Sequence, residues 1–290
     1  MQPLHIAAGV LMAFFWGVQV VAAKIGLAQL PPLLMVGLRF ALLACLLVPF
    51  LRRPTWPQLR VLLPIGLFMG GLHFSLVYLG VARLDGSTAA ICFQLGPPFS
   101  VLVAWAWLGE RADLPTLFGL ALACVGVVVL AGTPGQRPDL LGVLFVAGGM
   151  LSFALGTALT RRHPGFTPIE LNGWISVLSA PQILLVSLLV ESGQFEAMAR
   201  ADGWAWFSVV YTALSGGLMG FWLWYFLLAR YPVARVVPLT LLVPLFAVAA
   251  SMTVLGERPG STLWIGGALT LAGVALIQLL PLLRLRWRRS

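Results

Sequence analysis

Apolar residues in this chain gather into stretches of about 20, the length a helix needs to cross the hydrocarbon core of a bilayer. Ten can be marked off, near 4–24, 31–51, 59–81, 87–108, 114–131, 140–160, 168–190, 204–228, 233–254 and 261–281. Turn-forming and charged residues separate them: Pro31-Pro32, Arg52-Arg53-Pro54, Arg83-Leu84-Asp85-Gly86, Gly109-Glu110-Arg111, Pro134-Gly135, and the run from Arg161 to Pro164. The pattern predicts ten transmembrane helices, numbered 1 to 10 in that order. The first run, Leu4 to Leu27, has no basic leader and no small-residue cleavage site, so no cleavable signal peptide is expected.

Composition supports a lipid-facing surface. Hydrophobic residues make up 60% of the chain and charged residues 9%, against roughly 25% charged in a soluble domain. The net charge of +9 does not point to nucleic acid, because the basic residues lie in short loops and the tail rather than along one folded face. Their distribution sets an orientation. With the N-terminus inside, twelve fall on the inner side (Arg52, Arg53, Arg60, Arg111, Arg161, Arg162, Arg230, Arg235, Arg284, Arg286, Arg288 and Arg289) and five on the outer side (Lys24, Arg83, Arg137, Arg200 and Arg258). Arg39 lies within a helix. Both termini are therefore expected in the cytoplasm. The loop 191–203 carries Glu191, Glu196 and Asp202, as an outer loop can, and the tail around Trp287 reads as an interfacial anchor. Cys45, Cys92 and Cys124 have neither metal nor disulfide spacing and read as small buried apolar residues.

The second half answers the first. At a shift of 147 residues, Tyr78 meets Tyr225, Ala82-Arg83 meets Ala229-Arg230, Pro97 meets Pro244, and Leu108-Gly109-Glu110-Arg111 meets Leu255-Gly256-Glu257-Arg258. Gly119 meets Gly266 and Gly126 meets Gly273, while earlier segments match at shifts of 139 and 136. Residues 1–135 and 136–290 thus form two repeats of five helices. Five is odd, so the copies must cross the membrane in opposite directions, the arrangement of alternating-access carriers.

Phe15-Trp16-Gly17 in helix 1, Leu38-Arg39-Phe40 in helix 2 and the Leu-Gly-Glu-Arg strings closing helices 4 and 9 resemble the drug/metabolite transporter superfamily, specifically its EamA-type exporters, over nearly the whole chain. Within it the sequence looks most like amino-acid exporters, YddG-like proteins among them. The resemblance implies an all-α integral membrane protein in which helices 1–4 and 6–9 surround a central cavity and helices 5 and 10 lie behind. It implies export of aromatic or apolar amino acids from a bacterial inner membrane, with another organic solute (a nucleotide-sugar, organic anion or drug) as the alternative.

Candidate site residues follow from depth and from helix breaks. Gln19, Arg39, His73 and Gln94 lie in one layer, roughly 8 to 12 Å below the outer boundary at 1.5 Å per residue. Their repeat mates Ala158, Ile175, Gly220 and Leu241 are nonpolar, so the fold does not require these polar groups. A buried Arg39 is costly in a membrane and suits a substrate carboxylate or the outer vestibule, or else caps freed carbonyls. His73 could ligate, titrate or only hydrogen-bond. Trp16, Tyr78, Trp174, Trp222 and Tyr225 form a second, aromatic layer, some of which belong to an interfacial belt, and Asn172 and Thr240 add polar contacts. Gly96, Pro97 and Pro98 in helix 4, with Pro238 and Pro244 in helix 9, interrupt matching positions and read as hinges or gates, or as static kinks.

The nine acidic residues all fall in loops or at helix ends, whereas proton- and sodium-coupled carriers keep a carboxylate deep in a span. A facilitator or exchanger is expected, with His73 as the one proton-linked candidate. His5, His73 and His163 are scattered and no phosphate-cradling loop exists, so neither an intramembrane enzyme nor ATP hydrolysis is expected. The chain is expected to need no cofactor or metal and to act as a monomer in the bilayer on a small-molecule substrate.

Overall fold

In hydrocarbon every backbone N–H and C=O must find its partner within the protein, which favours helices. The structure, a computed structural model, is helical throughout, with no strand among the described residues: 1–108, 114–131, 139–163, 165–228, 230–231 and 236–287. Gly109, Glu110, Arg111, Asp113, Pro134, Gly135, Arg137, Pro164, Ala229, Arg235, Arg288 and Arg289 lie outside them. The first Leu-Gly-Glu-Arg string and part of the charge bias therefore go undescribed.

The elements are α1 (Pro3–Leu27), α2 (Pro32–Leu47, closed by a 3-10 turn Val48–Phe50), α3 (Trp56–Ile65, Gly66–Leu72 and His73–Arg83) and α4 (Gly86–Cys92, Phe93–Leu95 and Gly96–Leu108). Then come α5 (Leu114–Ala131), α6 (Leu140–Arg162), α7 (Pro168–Val190) and α8 (Gly203–Tyr211, Thr212–Gly220 and Phe221–Leu228). The last are α9 (Val237–Leu242 and Val243–Val254) and α10 (Ser261–Trp287). Seven of them, α1 to α4 and α6 to α8, are long and apolar enough to cross a membrane, and α5, α9 and α10 contain shorter apolar stretches among the described residues. Two departures from the sequence reading stand out. The final helix runs on to Trp287, past the expected end at 281. The loop 191–203 holds a short helix, Gln194–Arg200, started by Gly193 at φ 73° and by the Gln194 side chain, which donates to Ser187 O at 2.7 Å.

Four helices are not plain α-helix. In α4 and α9 a 3-10 segment (Phe93–Leu95, Val237–Leu242) precedes Gly96-Pro97-Pro98 and Pro244. Proline has no N–H to give the carbonyl four residues earlier, so the preceding turn tightens. In α3 and α8 a π segment (Gly66–Leu72, Thr212–Gly220) surrounds a glycine pair. The irregular segments of α3 and α4 recur about 147 residues later in α8 and α9.

Small residues set the packing. A Cβ on Gly17 would press on Val243 O at 2.8 Å and Ala247 N at 2.9 Å, which seats α1 against α9. Gly119 meets Gly273 while Gly126 meets Gly266 and Thr270, so α5 and α10 pack antiparallel. Gly37 meets Leu184 while Gly173 meets Leu51, so α2 and α7 are antiparallel too.

Carboxylates cap helix starts at one end of the bundle, supplying acceptors for N–H groups that have no helical partner. Glu257, after α9, accepts from Gly86 N (2.6 Å), Ser87 N (3.0 Å) and Ser87 Oγ (2.6 Å) at the start of α4. Glu191, after α7, accepts from Leu33 N (2.8 Å) and Leu34 N (3.0 Å) at the start of α2. At the same end Lys24 Nζ donates to Leu84 O at 2.8 Å and Arg83 pairs with Asp139 at 2.6 Å. Of the three cysteines Cys92 is buried and Cys124 half-buried, but Cys45 is exposed. The reading of Cys45 as buried is thereby corrected: α2 turns that position away from the bundle.

Candidate functional site

The π segment of α8 is where the polar residues converge. A π turn shifts the hydrogen-bond ladder and leaves carbonyls seeking other donors. Trp16 Nε1, from α1, donates to Gly216 O at 3.3 Å, and Asn172 Nδ2, from α7, donates to Gly217 O at 2.9 Å. The Gln19 amide of α1 occupies the space a side chain on Gly216 would need. Arg39 Nη2, from α2, lies 3.4 Å from where a Cβ on Gly217 would sit. Four residues read from sequence as site candidates, on three helices of both halves, thus surround two glycines that were not.

Arg39 is 1% exposed. Its guanidinium lies 4.4 Å from the Phe74 ring centroid and 5.4 Å from that of Phe40, and neither Nε nor Nη1 has a hydrogen-bond partner. The aromatic faces offer the cation some electrostatic stabilisation, well short of what a buried charge requires. Tyr78 is buried beside the guanidinium, its hydroxyl making no hydrogen bond of good geometry. His73 lies within electrostatic reach of Arg39. Its Nδ1 is 2.8 Å from Gly149 O on α6 and its ring meets Phe74 and Phe153 edge-on or tilted. A carbonyl can only accept, so Nδ1 is the donor in this bond.

The other candidates are placed apart from this group. Gln94 is buried in the 3-10 segment of α4 with Nε2 unpartnered. Gly96 and Pro98 are buried and Pro97 half-buried at the start of the following helix. Pro238 and Thr240 lie in the 3-10 segment of α9 and Pro244 is buried at the next helix start. Trp174 packs on the main core. Trp222 is 52% exposed and stacks on Phe226 at 5.6 Å, and Tyr225 lies in the same helical stretch. Trp16 has aromatic neighbours instead in Phe221 (5.4 Å) and Trp224 (5.8 Å).

The glycine pair carried a signal in the sequence. Gly70-Gly71-Leu72 recurs as Gly216-Gly217-Leu218 at a shift of 146, whereas Tyr78 and Tyr225 stand 147 apart. That slip marks one extra residue between glycines and tyrosine, and the second π segment spans 9 residues against 7 in the first.

Comparison with known proteins places this architecture. A chain from Salmonella typhimurium named "Probable amino-acid metabolite efflux pump" is 30% identical over 273 residues, 91% of each chain. Its namesake from Escherichia coli K12 is 28% identical over 97% of this chain and 95% of its own. A "Probable terminal-alkyne amino-acid exporter" of Streptantibioticus cattleyicolor is 30% identical over 78% of this chain and 75% of its own. A solved crystal structure, 20% identical, shares the fold at a TM-score of 0.66 over 97% of this chain and 98% of that one. The model of the EamA-like transporter family matches twice, over residues 4–132 and 140–279. Matched in both halves, this multi-pass membrane protein belongs to the EamA-like transporter family.

Proposed function

We propose that the chain exports amino acids or closely related metabolites by alternating access, as two repeats (1–135 and 136–290) of opposite orientation around a central site. The observation that carries this reading is the convergence of Trp16, Gln19, Arg39 and Asn172 on Gly216 and Gly217. Polar groups from both halves meeting at an interrupted helix are what a carrier site requires. The antiparallel mates α2 and α7, and α5 and α10, support the inversion, as do the irregular segments recurring at matching positions. The relatives' names supply the cargo class.

The positive bias of the inner loops argues for cytoplasmic termini in a bacterial inner membrane. The end bearing Glu191 and Glu257 then faces outward, and its caps and ion pair hold that side closed. Among the described residues no carboxylate lies deep within a span, Glu170 being in the first turn of α7, which favours a facilitator or exchanger; a monomer is the proposed state. In proteoliposomes, preloaded amino acid should drive counterflow of aromatic and aliphatic amino acids, without ATP and with little response to a pH gradient. Exchange of only nucleosides or organic cations would refute the cargo. A strong gradient dependence abolished by His73→Ala would favour coupling over the uncoupled mechanism, and one that survives His73→Ala would refute both that mechanism and His73 as the proton-linked group.

A further inference from the structure

We infer that Arg39 and the carbonyls of Gly216 and Gly217 form the subsite for the zwitterionic head group of an α-amino acid, the carboxylate on Arg39 and the ammonium on the carbonyls. The inference rests on the transport reading above and adds to it which atoms hold the cargo.

The cationic side is incomplete without a ligand. Arg39 forms no ion pair among the described residues, and two of its three nitrogens have no hydrogen-bond partner although the side chain is 1% exposed. Phe74 and Phe40 fix the guanidinium plane. Guanidinium presents its donors as a fork that matches a carboxylate.

The acceptor side is adjacent. Gly216 O and Gly217 O each take a side-chain donor from another helix, a place that a ligand ammonium can fill instead. The Trp16 bond, at 3.3 Å, is at the long end of the useful range and yields readily to a charged donor. Arg39 Nη2 lies 3.4 Å from the Cβ position of Gly217, so the guanidinium packs against the residue that bears one of these carbonyls. A ligand that meets both must carry its anion and cation on neighbouring atoms, as an α-amino acid does. Glycine lets Leu43 and the guanidinium approach the backbone here, since a Cβ at Gly217 would press on Leu43 at 2.7 Å. The indole of Trp16, backed by Phe221 and Trp224, offers a wall for an apolar side chain.

The other π segment makes the contrast. There Gly66 O and Phe68 O take the hydroxyls of Ser179 (3.1 Å) and Ser152 (2.7 Å). Arg39's repeat mate is Ile175. The head-group site is thereby placed at the second π segment.

The test is counterflow of labelled phenylalanine by the full chain in proteoliposomes, with competitors that lack one charge. On the unaltered protein, phenethylamine (no carboxylate) and 3-phenylpropionate (no ammonium) should each compete about tenfold or more worse than phenylalanine, given the strength of charged hydrogen bonds. Arg39→Gln should raise the half-saturation for phenylalanine by a similar factor and leave phenethylamine competition unchanged. Should this variant fail to fold, the analogue series on the unaltered protein decides alone. Phenethylamine competing as well as phenylalanine, or a folded Arg39→Gln variant with the original half-saturation, overturns the subsite while amino-acid transport stands. No amino-acid exchange by the unaltered protein, with another solute exchanging, overturns the transport reading as well.

Discussion

Asn172 and Gly217 show how little separates a structural contact from a site contact in this protein. The amide of Asn172 satisfies a carbonyl that the π turn has freed, and replacing it with leucine leaves that oxygen buried without a donor. Such a loss costs about 1–3 kcal/mol, so Asn172→Leu should lower the detergent-solubilised melting temperature, read by thermal unfolding. Gly216→Ala acts differently. Its methyl would collide with the flexible end of Gln19 rather than with backbone, so stability should hold within about 1 kcal/mol while amino-acid counterflow falls. Equal losses of stability and transport in Gly216→Ala would count against a site there. The side chains of this cluster were legible in the sequence because a polar residue deep in an apolar run has few structural excuses. The glycines showed only through the one-residue slip of the repeat, because a backbone carbonyl has no letter in the sequence and glycine is common in membrane helices for packing alone.

At the scale of elements, the prolines of α4 and α9 marked irregular turns, whereas Pro181 sits inside α7 with none. Gly96-Pro97-Pro98 and Pro244 announced the 3-10 turns of α4 and α9 through a missing N–H, whereas nothing as direct announced the π segments. The acidic residues were placed at helix ends from sequence, but which helix each would cap depends on the tertiary arrangement. Glu257 reaches from α9 to the start of α4. Glu257→Ala should therefore weaken that cap by about 0.5–2 kcal/mol and make thiols placed at this end more reactive to membrane-impermeant reagents. The Arg83–Asp139 pair at the same end responds to pH. Desolvation pushes the Asp139 carboxyl up, but the Arg83 hydrogen bond and the Leu141 N–H outweigh it and hold the group below its ordinary value. A carboxyl lowered in the folded state stabilises above its unfolded pKa and loses that contribution as pH falls through the folded one. The pair should hold at neutral pH, and reactivity at this end should rise only in acid below the usual carboxylate range.

For the whole molecule, the duplication was legible down to single residues, since the string Leu-Gly-Glu-Arg and the Tyr and Pro pairs keep one register. What the repeat does not carry is the asymmetry: a cation beside the π turn of one half and serines around that of the other. On the proposed reading, symmetry supplies two interchangeable bundle shapes and the departures from it supply the polar site. Alternating access requires the end near Glu257 to open and close during each cycle. A Cβ placed on Gly86 would lie 2.5 Å from Ser251 Oγ, so cysteines at these two positions, in a background lacking Cys45, Cys92 and Cys124, come within disulfide reach. Amino-acid counterflow by this double variant, measured before and after oxidation, tests the claim directly. Oxidation should stop exchange and a reductant should restore it; full exchange with the disulfide intact would contradict alternating access.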